Sequence, residues 1–299
     1  MIRFSSVQKK FGNRMAVELV SFDANSSKVT GIVGPNGSGK STLFRILLGL
    51  ATCDSGSATI EGSTYSDLVF PLKKIGAHLD VNFGSKSRTA FQFLRIQALS
   101  QSINRNRIAV VLEQVGLADV SNHLIATLSL GMRQRLGIAH SLLGDPDYLV
   151  FDEPLNGLDH EGILWFRKLI RELADQGKTI LLSSHILSEV EELADEVIFL
   201  GRGRTLGSVR PSELEQYTFQ LVGYASTENS LVEELKLDRL LRFGTLALVS
   251  AEDRDYWVEY VANHPDLGLK LIPVKSALTS IYEEVLQGEA EFVGIHETA

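Results

Sequence analysis

The residues best suited to chemistry lie in one glycine-rich stretch near the start of the chain. It reads Gly34-Pro35-Asn36-Gly37-Ser38-Gly39-Lys40-Ser41-Thr42 and fits the pattern G-x-x-x-x-G-K-S/T at every fixed position. Its glycines permit a tight turn whose backbone N–H groups point at an anion. Lys40 would place an ammonium near the outer phosphates, and the Ser41 hydroxyl can ligate Mg²⁺. The pattern predicts a phosphate loop for a nucleoside triphosphate.

The segments on either side of this loop support that prediction. Residues 29–33 are apolar, as in a buried strand. After Lys40, apolar residues recur at helical spacing: Leu43, Ile46, Leu47 and Leu50. A strand, a glycine loop and a helix N-terminus together form an anion site. A chance glycine-rich turn is the weaker interpretation because both flanks fit.

Two acidic residues end a second apolar segment. Residues 148–151 are typical of a buried parallel strand, and Asp152 and Glu153 follow at its carboxyl end, where α/β sheets place ligands. Asp152 suits Mg²⁺, and Glu153 is placed to orient or deprotonate an attacking water. A solvated acidic turn is the alternative, which the phosphate loop in the same chain disfavours.

Three more residues have two interpretations each when taken alone. Phe11 could stack on an adenine ring or fill an apolar position beside a turn, and its chemistry favours neither. His185 follows another apolar strand-like segment and could hydrogen-bond a transferring phosphate, although lone histidines there are usually satisfied in the core. Ser129 could be an ordinary helix N-cap.

The composition restricts the class of protein. The chain has 299 residues, 44% hydrophobic and 22% charged, which is ordinary for one large or two smaller globular domains. Its net charge of −8 argues against a nucleic-acid surface. Cys53 is the single cysteine, so no intramolecular disulfide can form and a cytosolic compartment fits best. We expect neither a signal peptide nor a membrane span, so any membrane role would need another chain.

The remaining pattern indicates how the motifs are positioned. Residues 2–22 alternate as in two strands, and residues 90–120 show helical spacing, which predicts a small helical subdomain inserted into an α/β core. The helix after residue 160 is expected to bury five residues: Leu164, Trp165, Leu169, Ile170 and Leu173. Beyond about Pro211, strand-like and helical pieces alternate in a small appendage without a chemical motif.

The ordered set of motifs resembles the ATP-binding cassette (ABC) ATPases over roughly residues 1–210. It comprises the phosphate loop, LSLGM for the signature, YLVFDEP for the Walker B strand, NGLD for the D-loop and SSH for the H-switch. The wording SLGMRQRLGIA, with IGAHLD upstream, is most similar to ATPase subunits of ABC-2-type exporters, the group with drug, bacteriocin and antibiotic-resistance transporters. The resemblance implies an α/β P-loop NTPase cassette at 1–210, with a mixed-sheet core and a helical subdomain at about 85–145. A small C-terminal α+β accessory domain at 211–299 would follow.

The resemblance also implies how two chains would share ATP. Two cassettes would close head to tail around two ATP molecules, as a homodimer. Residues 34–42 of one cassette would hold the phosphates, while Ser129 and Gly131 of the other would cap the γ-phosphate. Phe11 would stack on adenine, and Asp159 would link the two sites across the dimer.

Within each site the resemblance implies a division of labour. Glu153 would be the catalytic base, and His185 and Lys40 would contact the transferring phosphate. Three residues would serve Mg²⁺: Ser41, Asp80 and Asp152. Three departures from the family pattern stand out: Leu130 and Met132 replace glycine and glutamine in the signature, Asp80 replaces the Q-loop glutamine, and Phe11 replaces tyrosine. We expect none of them to abolish activity.

The resemblance implies a membrane partner as well. A separate permease would contact about Asp80 to Phe93, including Asn82 and Phe83, whereas Phe91 is more typical of core. The chain would then lie at the cytoplasmic face of the cell membrane. Two alternatives are a soluble cassette ATPase acting on ribosomes or DNA, and a protein that sequesters nucleotide or drug without turnover. The soluble ATPase is disfavoured because the chain has one cassette, too few residues for a long coiled coil and an acidic net charge. The sequestering protein is disfavoured by Glu153 and His185.

Overall fold

The computed structural model describes residues 1–81, 84–222, 241–243, 246–265 and 268–287. Backbone contacts divide the chain into two compact units, Met1–Thr205 and Leu206–Ala299. The sequence predicts a cassette at 1–210 and an accessory domain at 211–299. Because this assignment gives each part a function, it stays a prediction.

The strands up to residue 209 form two β-sheets. In chain order they are β1 (Ile2–Phe11), β2 (Arg14–Ala24), β3 (Val29–Val33), β4 (Ser55–Ile60), β5 (Ile75–His78), β6 (Tyr148–Asp152), β7 (Thr179–Ser184), β8 (Glu196–Gly201) and β9 (Arg204–Val209). A three-stranded antiparallel sheet has the order β2-β1-β4. A six-stranded sheet has the order β5-β6-β7-β3-β8-β9.

The six-stranded sheet is the core of the fold. Its strands β5, β6, β7, β3 and β8 run parallel to their neighbours. Every residue of β3 and β7 is buried, as expected for central strands covered on both faces. Arg202 and Gly203 join β8 to β9 with positive φ angles of 49° and 81°, the geometry of a tight hairpin turn. The sheet is therefore mixed, as predicted.

Helices cover this sheet and build a subdomain beside it. They are α1 (Lys40–Leu47), α2 (Pro71–Lys74), α3 (Ala90–Ser100), α4 (Asn106–Gln114), α5 (Leu130–Leu142), α6 (His160–Asp175) and α7 (Leu187–Glu191). Helices α3, α4 and α5 pack on one another between β5 and β6 in the chain, which is the predicted helical insertion. Helix α5 also packs closely on β5. This is possible because Gly76 has no side chain, since a Cβ there would overlap the Ser141 carbonyl oxygen.

Two details of the helical predictions were wrong. Helix α1 ends at Leu47, since Gly49 turns the chain with a φ of 67°, and Leu50 is 67% exposed. In α6 the buried face contains Phe166 instead of Leu164, which is 50% exposed. The correct spacing is Phe166, Leu169, Ile170 and Leu173.

Trp165 is only partly buried because it bridges to the helical subdomain. Its Nε1 donates to the Gln114 carbonyl oxygen at 3.2 Å, and the Arg135 guanidinium lies 4.4 Å from its ring centroid. Phe166 takes the core position instead, with its ring edge-on to Phe151 at 5.5 Å between centroids. Trp165 therefore connects α6 to α4 and α5.

In its described residues, the second unit contains a four-stranded antiparallel sheet and two helices. The strands β10 (Tyr217–Val222), β11 (Leu241–Phe243), β12 (Leu246–Ser250) and β13 (Lys270–Pro273) have the order β11-β12-β10-β13. The helices are α8 (Arg254–Asn263) and α9 (Ala277–Gln287). Trp257 of α8 is fully buried in this unit's core. A further helix, predicted at residues 228–235, lies outside the described residues.

We find no helix in the described ranges that combines the length and apolar character needed to cross a bilayer.

Candidate nucleotide-binding and catalytic site

Sheet order brings the predicted motifs to one edge. Strand β7 lies between β3 and β6, with Val33 opposite Ser184 and Asp152 opposite Ser183. The phosphate loop follows β3, His185 follows β7, and Glu153 follows β6. Because the carboxyl ends of parallel strands meet at the same edge, three loops distant in sequence become neighbours.

The phosphate loop is shaped to receive an anion. Gly37 and Gly39 have φ angles of 81° and 109°, which side chains rarely tolerate. Gly39 is the N-cap of α1 and offers no side-chain hydrogen bond to the helix, so that end has no capping group of its own. The Ser38 Oγ is buried and has no hydrogen-bond partner among the described residues. The helix N-terminus and this orphan hydroxyl fit a phosphate.

Gly34 is required for a different reason from the one predicted. Its φ angle does not lie in the left-handed region, so it does not supply a special turn. A Cβ there would overlap the Leu200 carbonyl oxygen and lie 2.7 Å from Ser38 Oγ. The residue must be glycine because the loop passes directly against the end of β8.

Lys40 is held over this loop. Its Nζ donates to the Gly34 carbonyl oxygen at 2.6 Å and to that of Pro35 at 3.3 Å, and the side chain is 6% exposed. The same Nζ lies 3.5 Å from Glu153 Oε1. The ammonium thus reaches the acidic residue that follows β6.

Glu153 is paired at both oxygens. Its Oε2 lies 2.7 Å from His185 Nδ1, while Oε1 faces Lys40. The His185 side chain is 38% exposed, so it is not a satisfied core histidine, and Glu153 is not a freely solvated turn residue. The three residues assigned a catalytic role from the sequence therefore meet in one place.

Ser183, which sequence reasoning missed, connects the two acids. Its Oγ donates to Asp152 Oδ1 at 2.6 Å and accepts from the Glu153 backbone N–H at 3.0 Å. Its position in a buried apolar strand gave no sign of this role. Ser183 fixes one Asp152 oxygen and the backbone of Glu153 together.

A cavity of about 490 Å³ opens between these groups, within the usual size range for ligand sites. Its lining includes the loop residues Asn36 to Thr42, together with Phe11, Arg14, Ala16, Glu153, Asn156 and His185. Phe11 is 52% exposed, with Lys9 Nζ 5.3 Å from its ring centroid. The ring is therefore accessible and does not fill a buried position.

Arg14 and Asn156 line the cavity although neither was predicted. Arg14 begins β2, and its Nη2 lies 3.0 Å from the position a Cβ would take on Gly37. Asn156 appeared in the sequence analysis only as the first residue of the NGLD motif, without a role of its own. Spacing in the sequence could not reveal that either side chain faces the phosphate loop.

Ser129, Gly131 and Asp159 do not line this cavity. Ser129 is the N-cap of α5 and accepts from the Met132 N–H at 3.2 Å. Asp159 is the N-cap of α6 and accepts from the Gly162 N–H at 2.9 Å. In a single chain the two residues are therefore helix caps.

Asp80 also lies elsewhere. It is exposed, two residues past β5, and lines a second cavity of about 290 Å³ with His78 and His140. Burial lowers the pKa of His78. The pKa of His140 is lowered to about 4, mainly by burial and to a smaller extent by the nearby His78. Within the described ranges, no cluster of three or more His, Cys, Asp or Glu residues could hold a metal ion.

The predicted permease-contacting segment is only partly described. Asn82 and Phe83 lie outside the described residues. Phe91 is half-buried, with the Arg105 guanidinium 5.6 Å from its ring centroid. Phe93 is buried in the subdomain.

Comparison with known proteins decides the family. An uncharacterized ABC transporter ATP-binding protein of Bacillus subtilis, YdbJ, is 32% identical over 98% of this chain and 94% of its own. The family model described as ABC transporter matches residues 17–156. The chain belongs to the ABC transporter family.

Other comparisons agree with this ABC transporter assignment. The lantibiotic transport ATP-binding protein SrtF of Streptococcus pyogenes is 38% identical over 69% of this chain and 89% of its own. A solved structure entitled "Dimeric Structure of MJ0796, a Bacterial ABC Transporter Cassette" aligns with a TM-score of 0.65 and 25% identity, over 71% of this chain and 99% of its own. The resemblance seen in the motifs is confirmed: this chain is an ATPase of the ABC transporter family.

Proposed function

We propose that this ABC ATPase powers export through a separate membrane permease. The observation that carries the catalytic part is the contact of Glu153 with both Lys40 and His185 at the mouth of the phosphate loop. The export part is supported by the ABC-2-type motif wording and by the similarity to a lantibiotic transport protein.

In this proposal the nucleotide lies along the cavity with its adenine on Phe11. Lys9 occupies one side of that ring, and the accessible part is left for the base. The phosphates lie on the N-terminus of α1, where Ser38 Oγ can donate a hydrogen bond and Lys40 supplies positive charge. Arg14 adds a second cation beside Gly37.

Hydrolysis then follows from positioning and charge. Glu153 orients and deprotonates the attacking water, and His185 fixes the carboxylate and contacts the γ-phosphate. Phosphoryl transfer needs little covalent help from the protein, so the placement of these groups accounts for most of the rate.

The residues present fit Mg²⁺ bound together with ATP. Asp152 uses one oxygen for Ser183, which leaves the other for a cation, and Ser41 lines the cavity at the start of α1. One carboxylate and one hydroxyl, completed by phosphate oxygens and waters, suit this hard ion. Mg²⁺ would neutralise charge on the β- and γ-phosphates. Asp80 lines a different cavity in the single chain, so its proposed service to Mg²⁺ or water would require the loop after β5 to move.

We propose that the site is completed by a second copy of the chain. Ser129 is exposed, Gly131 is partly exposed, and both lie outside the cavity, so they are available to cap the γ-phosphate of a partner. The likeness to a dimeric cassette supports this arrangement. Asp159 would lie at the dimer junction while it caps α6.

The proposed permease would contact about Asp80 to Phe93, beside the second cavity. That contact would hold the chain at the cytoplasmic face of the membrane. A soluble ATPase acting on ribosomes is the alternative that a purification test separates. The tagged chain is purified from detergent-solubilised membranes and its companions are identified by mass spectrometry. A stoichiometric multi-spanning protein supports the proposal, and ribosomal proteins with no membrane fraction would overturn it.

The catalytic part is tested by Glu153→Gln. We expect turnover to fall by at least about a hundredfold, because the base is lost, while ATP-bound dimers accumulate. The matched control is Glu172→Gln on α6, which removes only an exposed ion pair with Lys168. The measurements are steady-state phosphate release and light scattering with ATP. A parent-like rate for Glu153→Gln would contradict the assignment.

A further inference from the structure

The backbone of Glu153 has an unusual conformation. Its φ angle is 50°, in the left-handed region that residues with a Cβ rarely adopt. Such a conformation persists only where the surroundings hold it in place. Two hydrogen bonds hold the backbone on either side of the Glu153 side chain.

One bond involves the backbone N–H of Glu153, and the other involves the carbonyl of the next residue, Pro154. On the first side, the Glu153 N–H donates to Ser183 Oγ at 3.0 Å. On the second, Gln134 Nε2 donates to the Pro154 carbonyl oxygen at 2.6 Å. Gln134 is 2% exposed, so this bond is shielded from water. It is a contact between helix α5 and the loop that carries the catalytic base.

A third residue lies against the Gln134 amide. His78, the last residue of β5 and 4% exposed, also forms a side-chain hydrogen bond with Gln134. Because Nε2 donates to Pro154, the amide oxygen is left to accept from the imidazole N–H. The three residues form a buried chain, His78 to Gln134 to the Pro154 carbonyl.

We propose that Gln134 is a positioning residue for Glu153, and that His78 fixes the Gln134 amide for this role. The proposal rests on the proposed function of Glu153 as the base. Gln134 keeps the strained turn closed, so that the carboxylate stays on Lys40 and His185. Since Ser129 caps the same helix, α5 connects the residue proposed to meet the partner's ATP with the base of its own site.

The test compares Gln134→Met with Ser141→Ala in the full-length chain. Methionine keeps the length of the side chain but donates no hydrogen bond to Pro154. Ser141 is a buried residue of the same helix whose Oγ donates to the Ile138 carbonyl, so its loss disturbs α5 without touching the Glu153 loop. For both variants we would measure kcat, KM for ATP, nucleotide affinity and Tm.

We expect Gln134→Met to lower kcat by about tenfold to a hundredfold, because a small displacement of a catalytic group is enough to do so. KM and nucleotide affinity should stay within about twofold, and Ser141→Ala should keep the parent kcat. A merely structural Gln134 would instead lower Tm in both variants and leave kcat unchanged or lower it equally in both. Either result would overturn the proposal.

A double-mutant cycle with His78→Leu tests the role of His78. If both residues act on one carbonyl, the double variant should be no slower than Gln134→Met within about twofold. Additive losses in kcat would overturn the assignment to His78. Glu153→Gln, measured alongside, distinguishes failure of the positioning proposal from failure of the proposed base. If it abolishes turnover while Gln134→Met keeps the parent kcat, the positioning role fails alone; if it keeps the parent rate, both proposals fail.

Discussion

The Nδ1 atom of His185 lies 2.7 Å from the Oε2 atom of Glu153, although 32 positions separate them in the chain. The contact exists because β6 and β7 are parallel neighbours and both residues leave the sheet at the same edge. It leaves the second carboxylate oxygen facing Lys40 at 3.5 Å. The carboxylate that we propose as the base is therefore held between an imidazole and an ammonium.

Phe11→Ala should weaken ATP binding by about tenfold to a hundredfold, because stacking of a base on an aromatic ring is lost. Phe11→Tyr should bind like the parent chain. The matched control is Phe70→Ala, since Phe70 is also exposed and has Lys73 Nζ 4.8 Å from its ring centroid, but lies outside the cavity. Calorimetric titration measures the effect. An equal loss of affinity for inorganic triphosphate would argue against contact with adenine.

Arg14→Ala should weaken binding of both ATP and ADP by about threefold to tenfold, the range expected for an exposed charge-assisted contact. Over the described part of the chain, the Arg14 guanidinium forms no hydrogen bond or ion pair, so its charge is available to a ligand. The effect should shrink in high salt. Arg95→Ala, an exposed arginine on α3, is the control. Unchanged affinity at low salt would exclude Arg14 from nucleotide binding.

Gly34→Ala should abolish tight ATP binding and lower the free energy of unfolding by about 1–3 kcal/mol, because the new Cβ overlaps the Leu200 carbonyl oxygen. Gly62→Ala is the comparison. Its φ of 83° makes alanine strained, but nothing lies within 4 Å of the new Cβ. Denaturant unfolding and ATP titration should show a stability loss in both variants and a binding loss only in Gly34→Ala. Retained ATP binding in Gly34→Ala would show that the loop adapts.

The protein should lose stability as the pH falls from about 6.5 towards 4. His140 has a pKa of about 4 in the folded chain, whereas the unfolded chain protonates it near its ordinary value of 6.5, so protons favour unfolding in this window. The difference between the folded and unfolded pKa values corresponds to a loss of at most about 2 kcal/mol between pH 7 and pH 5. This figure is an upper bound because the ring is partly solvated. Urea unfolding at the two pH values measures it.

His140→Leu is the variant for this test. It should reduce the difference in stability between pH 7 and pH 5. It should not reduce stability at pH 7 by much, since the buried His140 Nε2 has no hydrogen-bond partner in the described part of the chain. His78 contributes in the same direction, so part of the pH dependence should remain. An unchanged difference would assign the acid sensitivity to other groups.

Local patterns were enough to predict the elements that carry the motifs. The phosphate loop, the acids after β6 and the histidine after β7 each follow a short apolar segment, and the position of a residue at a strand end is visible in the sequence. The helical insertion and the mixed sheet followed from periodicity and from the family resemblance. These features depend on neighbours along the chain.

Features that depend on contacts across the chain could not be predicted. Ser183 and Gln134 are buried polar residues in apolar surroundings, and only the three-dimensional arrangement shows that they hold Asp152 and Pro154. Leu164 and Phe166 are equally apolar, so their spacing alone did not decide which one faces the core. Gly34 looks like a turn residue, yet it is needed for the approach to Leu200.

The separation of Ser129 from the cavity that contains Lys40 has a genetic consequence. In the proposed dimer, a chain damaged at Lys40 spoils the ATP that it holds, whereas a chain damaged at Ser129 spoils the ATP held by its partner. Co-expressed with an intact copy, either variant would form mixed dimers that contain one intact and one spoiled site. Two chains damaged at different positions, one at each, would together keep one intact site.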